Sequence, residues 1–142
     1  MIKHFNEDGV SFHYPADWTL EREDGEHGWT VSLQSPNTAF LMVCLRDDHP
    51  DTDQLVGAAL ETLKEDYPDL EADARTDTVA GQLAVGHDIR FFSLDLTNTC
   101  WTGSFYTARG TVLVLCQSSD LDLERSEPVL RAICASLQLE DD

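Results

Sequence analysis

The sequence predicts an α+β fold, with a central antiparallel β-sheet flanked by helices in the order β-β-β-β-α-β-β-β-β-α. Two segments, near residues 52–66 and 126–137, carry apolar residues at helical spacing. Most of the remaining chain consists of short segments in which apolar and polar residues alternate, a pattern typical of strands with one buried face. The 142 residues contain no repeat or linker, so we expect a single domain over residues 1–142.

The first predicted strand lies between Gly9 and Pro15. Its apolar side chains share one face and alternate with polar ones; they are Val10, Phe12 and Tyr14. Proline has no N–H for a strand ladder, so Pro15 is expected to end the strand and begin a turn. The turn leads to Trp18, a large aromatic residue that we expect to cover one end of the core.

Residues 18–23 and 29–35 form the next predicted strands, a hairpin across a turn at 24–28. In the second of them Trp29, Val31 and Leu33 alternate with polar residues, which predicts one buried and one solvated face. The following strand, residues 38–46, is apolar on both faces and is expected at the centre of the sheet.

A helix is predicted over residues 52–66, because apolar residues follow helical spacing up to Tyr67 and Pro68 then closes it. Acidic residues at its entrance suit the positive end of the helix dipole, and either Asp51 or Thr52 is expected to cap it.

The second half of the chain is mostly strand. Residues 70–78 are polar and alternating, which indicates an edge strand, and a turn at 80–82 leads into a long strand ending near Leu96. Residues 97–108 are expected to pair back, and Arg109 and Gly110 form a predicted two-residue turn into residues 112–118, so that Ala108 pairs with Thr111. A final helix over 126–137 is opened by Ser126-Glu127-Pro128.

This pairing places the cysteines and aromatics on defined faces. Trp101 and Cys116 share one face and Cys100 lies on the other, so a Cys100–Cys116 disulfide is not expected. All four cysteines lie in apolar segments without C-x-x-C spacing, which predicts buried, reduced thiols; they are Cys44, Cys100, Cys116 and Cys134. If Phe91 points inward, Phe92 faces the other side with Leu94 and Leu96, and we expect a helix to cover that face.

The charge balance is unusual. The chain has 27 acidic and 9 basic residues and a formal net charge of −18. Such a surface repels phosphate, so nucleic acid and anionic membranes are not expected as partners, whereas a basic protein face or cations are. Acidic residues occur in nearly every loop, so adaptation to salt explains the composition as readily as a binding surface does. The chain shows no signal peptide or membrane-spanning run, and a cytoplasmic location is expected.

No motif identifies a catalytic centre or a cofactor, and none is predicted. Possible metal ligands crowd only in the loop Asp47–Asp53, where Asp47, Asp51 and Asp53 alternate, so a divalent-cation-binding protein is one alternative. The loop lacks the glycine and the bidentate glutamate of an EF-hand, and solvation and helix capping also explain its residues. A second alternative is an enzyme whose site assembles from dispersed residues such as Asp47, His49 and Ser118.

The opening segment carries a resemblance to a known family. Its sequence is Phe5-Asn6-Glu7-Asp8-Gly9-Val10-Ser11-Phe12-His13-Tyr14-Pro15-Ala16-Asp17-Trp18. With the turn at 79–84 and the helix at 129–137, it resembles the PsbP/Mog-like fold, named for a photosystem II extrinsic subunit and a Ran-binding nuclear import factor. The resemblance implies a sheet between helices used for binding or assembly, and it carries no catalytic residues. Unlike the family's lipoproteins, the chain is expected to have no lipidated N-terminal cysteine, and unlike the photosystem subunit it is expected to have no long basic or flexible N-terminal arm.

We therefore predict a non-catalytic protein-binding module, adaptor- or chaperone-like, whose partner is a protein with a basic face. The partner would contact an acid-rimmed sheet face or loop end through aromatic side chains, since exposed aromatics supply most interface energy. The candidate contact residues are Trp18, Trp29, Phe92, Trp101, Tyr106 and Arg109. The ordinary alternative for the large aromatics is a place in the core.

Overall fold

A computed structural model of the chain describes residues 1–140; the last two residues of the predicted 1–142 domain lie outside the described residues. The described part contains ten strands and two helices, in the following order. They are β1 (Ile2–Glu7), β2 (Val10–Pro15), β3 (Thr19–Gly25), β4 (Gly28–Gln34), β5 (Phe40–Arg46), α1 (Thr52–Asp66), β6 (Glu71–Val79), β7 (Gln82–Ser93), β8 (Leu96–Thr107), β9 (Gly110–Ser119), α2 (Leu123–Ala135) and β10 (Gln138–Leu139).

The strands form two sheets. Seven of them make an antiparallel sheet in the order β3-β4-β5-β9-β8-β7-β6, and β1, β2 and β10 make a smaller one. The predicted α+β class with a central antiparallel sheet is confirmed, as are the central place of β5 and the edge position of β6. The predicted element order was incomplete, because β1 and β10 were not foreseen.

The core lies on both faces of the large sheet. On one face, apolar residues of β4, β5, β8 and β9 pack against the small sheet and α2, and Val10 and Phe12 are fully buried there. On the other face α1 covers β7, β8 and β9, with Ile89, Phe91 and Cys100 beneath it. Neither helix within residues 1–140 is long and apolar enough to cross a membrane.

The turn between β8 and β9 differs by one residue from the prediction. Thr107 pairs with Gly110, so the turn is Ala108–Arg109. Gly110 belongs to the strand, where a Cβ would lie 2.2 Å from the Arg46 carbonyl oxygen of β5. The glycine is thus required for a close approach of two strands and not for the turn.

The faces of β8 and β9 were nevertheless assigned correctly. The true register differs from the predicted one by two positions, and a shift of two keeps every side chain on its face. Trp101 and Cys116 are paired on the face towards α2, and Cys100 lies on the face towards α1.

The start of α2 also requires a correction. The helix begins at Leu123, three positions before the predicted Ser126, and Pro128 lies inside it. The Ser126 hydroxyl donates to the Asp122 carboxylate at 2.6 Å, so Ser126 belongs to the first turn of the helix. For α1 the predicted bounds are confirmed; Asp51 occupies the N-cap position without a side-chain hydrogen bond.

Candidate functional site

The face of the large sheet towards α2 is covered over only part of its width. α2 packs on β9 and β2, and Arg131 lies over the Trp101 ring at 4.8 Å. Asp88 pairs with Trp101 and therefore shares this face with alternate residues of β6, β7 and β8. We define the open sheet face as the side chains of this region that remain exposed or half-exposed: Glu71, Asp73, Arg75, Asp77, Asp88, Arg90, Phe92, Thr97 and Thr99.

Carboxylates outnumber guanidinium groups by four to two on the open sheet face. Arg75 lies between Asp77 and Asp88, with N–O distances of 3.0 and 2.8 Å, and only 19% of its side chain is exposed. The Arg75 guanidinium thus forms ion pairs with two carboxylates. The open sheet face keeps an excess of negative charge, which attracts cationic groups and repels phosphate.

Phe92 is the exposed aromatic side chain of the open sheet face, with 76% of its surface accessible. Its neighbour Phe91 points to the other face and stacks on Tyr67, with ring centroids 4.1 Å apart. The expectation that a helix covers Phe92 is wrong, because α1 lies on the Phe91 side and α2 packs on β2 and β9. Leu94 lies in the turn after β7 and is 91% exposed, so this end of the hairpin presents an apolar surface.

The three tryptophans predicted as partner contacts lie in the core. Trp18, Trp29 and Trp101 are all buried. The Trp29 indole N–H donates to an Asp8 carboxylate oxygen at 2.8 Å, and Arg131 covers the ring of Trp101. The prediction is corrected for these residues, because their aromatic surface is already used in packing.

Tyr106 and Arg109 lie at the opposite end of β8 from Phe92. Tyr106 is half-exposed, and its hydroxyl accepts a hydrogen bond from the Thr52 amide at 3.2 Å. Arg109 contacts the carboxylates of Asp8 and Glu140 at 3.8 and 3.4 Å. About 30 Å of extended strand separates Tyr106 from the partner position of Phe92. The predicted contact residues therefore do not form one surface.

The acidic loop Asp47–Asp53 does not assemble a ligand set. Arg46 forms an ion pair with Asp48 at 2.7 Å, and its hydrogen bond lowers the pKa of Asp48. Asp47 faces His27 at 3.8 Å. In the part of the chain that the structure describes, no three His, Cys, Asp or Glu side chains are placed to hold a metal ion. Asp47, Asp51 and Asp53 are not brought together.

The dispersed catalytic site also does not assemble. Asp47 and His49 follow β5 at the end where Arg46 pairs with Thr111, whereas Ser118 lies at the other end of β9. At the rise of an extended strand, about 20 Å separates the two ends. The structure therefore separates Ser118 from the other two residues.

Ser118 instead adjoins a buried polar cluster that the sequence analysis missed. The Asp122 carboxylate accepts hydrogen bonds from the Thr38 hydroxyl, the Thr38 amide at 3.3 Å and the Ser126 hydroxyl at 2.6 Å. Ser119 donates to the Thr38 hydroxyl from its amide and its side chain. Burial raises the pKa of Asp122, but the hydrogen bonds from Ser126 and Thr38 outweigh it and the pKa is lowered. This Asp122 cluster fastens α2 to the segment before β5.

A cleft of about 290 Å³ lies between α2 and strands β6, β7 and β8, beside the open sheet face. Arg75, Trp101 and Arg131 line it, and so does Cys134 near the end of α2. The sequence did not predict this cleft, because its residues come from five separate elements and follow no motif. The sequence predicted only that Cys134 is a buried, reduced thiol, whereas the structure places it half-buried at this cleft.

Solved structures of other proteins share this architecture. No protein-family model matches the sequence, and no curated protein does. The solution structure of cyanobacterial PsbP (CyanoP) from Synechocystis sp. PCC 6803 has a TM-score of 0.67 at 14% identity, and the match covers 98% of this chain and 92% of that one. This chain has a PsbP-like fold.

Two further solved structures share the PsbP-like fold. The protein of unknown function PA94 from Pseudomonas aeruginosa has a TM-score of 0.57 at 12% identity, covering 99% of both chains. LpqN, involved in cell envelope biogenesis of Mycobacterium tuberculosis, has a TM-score of 0.56 at 15% identity, covering 99% of this chain and 92% of that one. The resemblance inferred from the opening segment is thus confirmed for its PsbP-like part, and the Mog-like, Ran-binding part gains no support.

Proposed function

We propose that the protein is a non-catalytic protein-binding module, adaptor- or chaperone-like, whose open sheet face receives a basic surface of a partner protein. The observation that carries this proposal is Phe92, an aromatic ring 76% exposed on a sheet face where carboxylates outnumber guanidinium groups. Exposed aromatic side chains are the usual anchors of protein interfaces. The carboxylates of the open sheet face would select a cationic partner and speed its approach.

The charge of the chain supports the same choice of partner. With a net charge of −18, the chain repels nucleic acid and anionic membranes, whereas it attracts a basic protein. The proposal includes a cytoplasmic setting, as the sequence led us to expect.

The test compares capture of proteins by four versions of the tagged full-length chain from a lysate of its own cells at low salt. Phe92→Ala removes the anchor and Asp73→Lys reverses a charge on the open sheet face. Leu83→Ala is the matched control, because Leu83 is 70% exposed in the same strand β7 but lies on the opposite face. None of the three residues is buried, so all versions are expected to fold.

We expect a stoichiometric partner with a basic surface, recovered about tenfold less with Phe92→Ala and with Asp73→Lys. Leu83→Ala should retain it, and high salt should release it. A partner retained equally by all four versions would refute the assignment of the face. A column without a stoichiometric partner would refute the adaptor function.

A separate experiment tests the alternative that the protein binds a divalent cation. Calcium and manganese should leave the melting temperature equal to that in sodium chloride of the same ionic strength, because the described residues hold no ligand set. A rise of several degrees with either cation would reinstate the Asp47–Asp53 loop as a metal site.

A further inference from the structure

Two thiols from separate elements meet between the large sheet and α2. Cys116 of β9 and Cys134 of α2 have their sulfur atoms 3.6 Å apart, although they are 18 positions apart in the sequence. Cys100 lies on the opposite face of the sheet, and Cys44 packs with the cluster beneath α1. The four cysteines therefore include one facing pair.

Cys134 is the member of this pair that a small molecule reaches. It lines the cleft of about 290 Å³ between α2 and the sheet, together with Arg75 and Arg131. Cys116 is fully buried behind it. A compound that enters the cleft meets the Cys134 sulfur before it meets that of Cys116.

The surroundings favour a thiolate at the accessible position. A hydrogen bond from the Cys116 thiol, helped by the positive charges of Arg131 and Arg75, lowers the pKa of Cys134, although burial and the charge of Asp77 act in the opposite direction. Burial raises the pKa of Cys116 well above its usual value, so that this thiol keeps its proton. Cys134 is therefore the nucleophile of the pair, and Cys116 is the hydrogen-bond donor.

We propose that Cys134 is a modification site for small hydroperoxides and that Cys116 resolves the product as a disulfide. The Cys134 thiolate attacks an oxygen of the hydroperoxide, so that an S–O bond forms as the O–O bond breaks, and the departing hydroxide or alkoxide takes a proton from water. The Cys116 thiol then attacks the Cys134 sulfur and gives its proton to the departing hydroxyl group. The S–S bond forms, the S–O bond breaks, and the hydroxyl group leaves as water with the Cys116 proton.

This sequence is balanced in atoms and electrons. Two thiols are oxidised to one disulfide, and the hydroperoxide is reduced to water or an alcohol together with a second molecule of water. A disulfide needs the two sulfurs at about 2 Å, so they must approach by about 1.5 Å. Cys134 lies next to the last residue of α2, where the backbone is less constrained than in the helix interior.

The test treats the reduced full-length protein with hydrogen peroxide, blocks free thiols and maps tryptic peptides without reduction. Each cysteine lies in its own tryptic peptide, with Cys116 in residues 110–125 and Cys134 in residues 132–142. We expect these two peptides to become linked to each other. In Cys116→Ser, a sulfenic acid should accumulate on Cys134 and react with dimedone; in Cys134→Ser, oxidation of Cys116 should slow by about tenfold.

Cys100→Ser is the matched control and should leave the linkage unchanged, because Cys100 lies on the other face. Oxidation of Cys44 or Cys100 ahead of Cys134, or a Cys134 sulfenic acid that never links to Cys116, would overturn the proposal. The wild-type peptide map decides the matter even where a serine variant fails to fold. The outcome is independent of whether the open sheet face binds a protein.

Discussion

Replacing Asp122 with alanine should lower the free energy of unfolding by about 3 kcal/mol. The carboxylate is 4% exposed and accepts hydrogen bonds from the Thr38 and Ser126 hydroxyls and, at a longer distance, from the Thr38 amide. Hydrogen bonds to a charged acceptor are worth about 1.5–3 kcal/mol each, and they are not additive within one cluster. The two strong bonds alone would sum to about 3–6 kcal/mol, and because they are not additive we expect a loss at the lower end of that range.

Asparagine at the same position should cost about half as much. Its amide oxygen can accept from Ser126 and from the Thr38 amide, but its NH₂ group then faces the Thr38 hydroxyl. That hydroxyl already accepts two hydrogen bonds from Ser119. The amide is therefore left with a poor acceptor, which costs about 1–2 kcal/mol.

The cost should also depend on pH. The pKa of Asp122 is lowered in the folded state, so its stabilisation is fully present above the ordinary aspartate pKa of about 3.9 and is lost as the pH falls through the folded value. Asp122→Asn carries no such titration. The difference in free energy of unfolding between the wild type and Asp122→Asn should therefore shrink as the pH falls below about 4.

Urea unfolding followed by tryptophan fluorescence measures these free energies at pH 7 and at lower pH. Asp120→Ala is the matched control, because Asp120 is an exposed acid two positions away, and it should change stability by no more than about 0.5 kcal/mol. A loss below about 1 kcal/mol for Asp122→Ala, or a difference from Asp122→Asn that does not vary with pH, would refute the reasoning.

Three further outcomes are expected. In urea unfolding, Gly86→Ala should destabilise the fold by about 2–3 kcal/mol, because a Cβ there would lie 1.8 Å from the Thr102 carbonyl oxygen. Gly57→Ala has open space around it in α1 and should stabilise the fold by about 0.5–1 kcal/mol; equal effects of the two substitutions would contradict the geometry. Forming the Cys116–Cys134 disulfide should stabilise the folded state by about 3 kcal/mol and raise the melting temperature by roughly 10 °C. If the oxidised and reduced proteins melt at the same temperature, the disulfide does not form without distorting the fold. Raising sodium chloride from about 0.1 M to about 2 M should raise the melting temperature, because it screens the net charge of −18; an unchanged value would weigh against salt adaptation.

The sequence was informative wherever the period of apolar residues was sustained. The faces of β2 and β4 followed from that period, and the bounds of α1 followed from helical spacing together with Pro68. The faces of β8 and β9 followed from the predicted pairing across their turn. The segment of β1 has a single buried side chain, Phe5, and β10 has two residues, so neither carries a readable period. Both segments form strands because they pair with β2 in the folded chain.

The candidate site was less accessible to sequence reasoning. Phe92 was identified as facing away from Phe91, but whether a helix covers it depends on where α2 crosses the sheet, which no local pattern encodes. The Asp122 cluster and the Cys116–Cys134 contact join residues far apart in the chain. Residues so far apart in the sequence form no recognisable motif, and only the packing of α2 brings them together.

The small sheet has a consequence for biosynthesis. Val10 and Phe12 of β2 are buried, α2 packs on this strand, and the Ser136 hydroxyl accepts a hydrogen bond from the His13 amide, 123 positions earlier in the chain. At about 5–20 residues per second, the ribosome delivers Ser136 roughly 6–25 s after His13. During that interval the nascent chain exposes apolar side chains whose native cover has not yet been translated. Holding chaperones would therefore meet the β1–β2 hairpin first and release it only when α2 emerges.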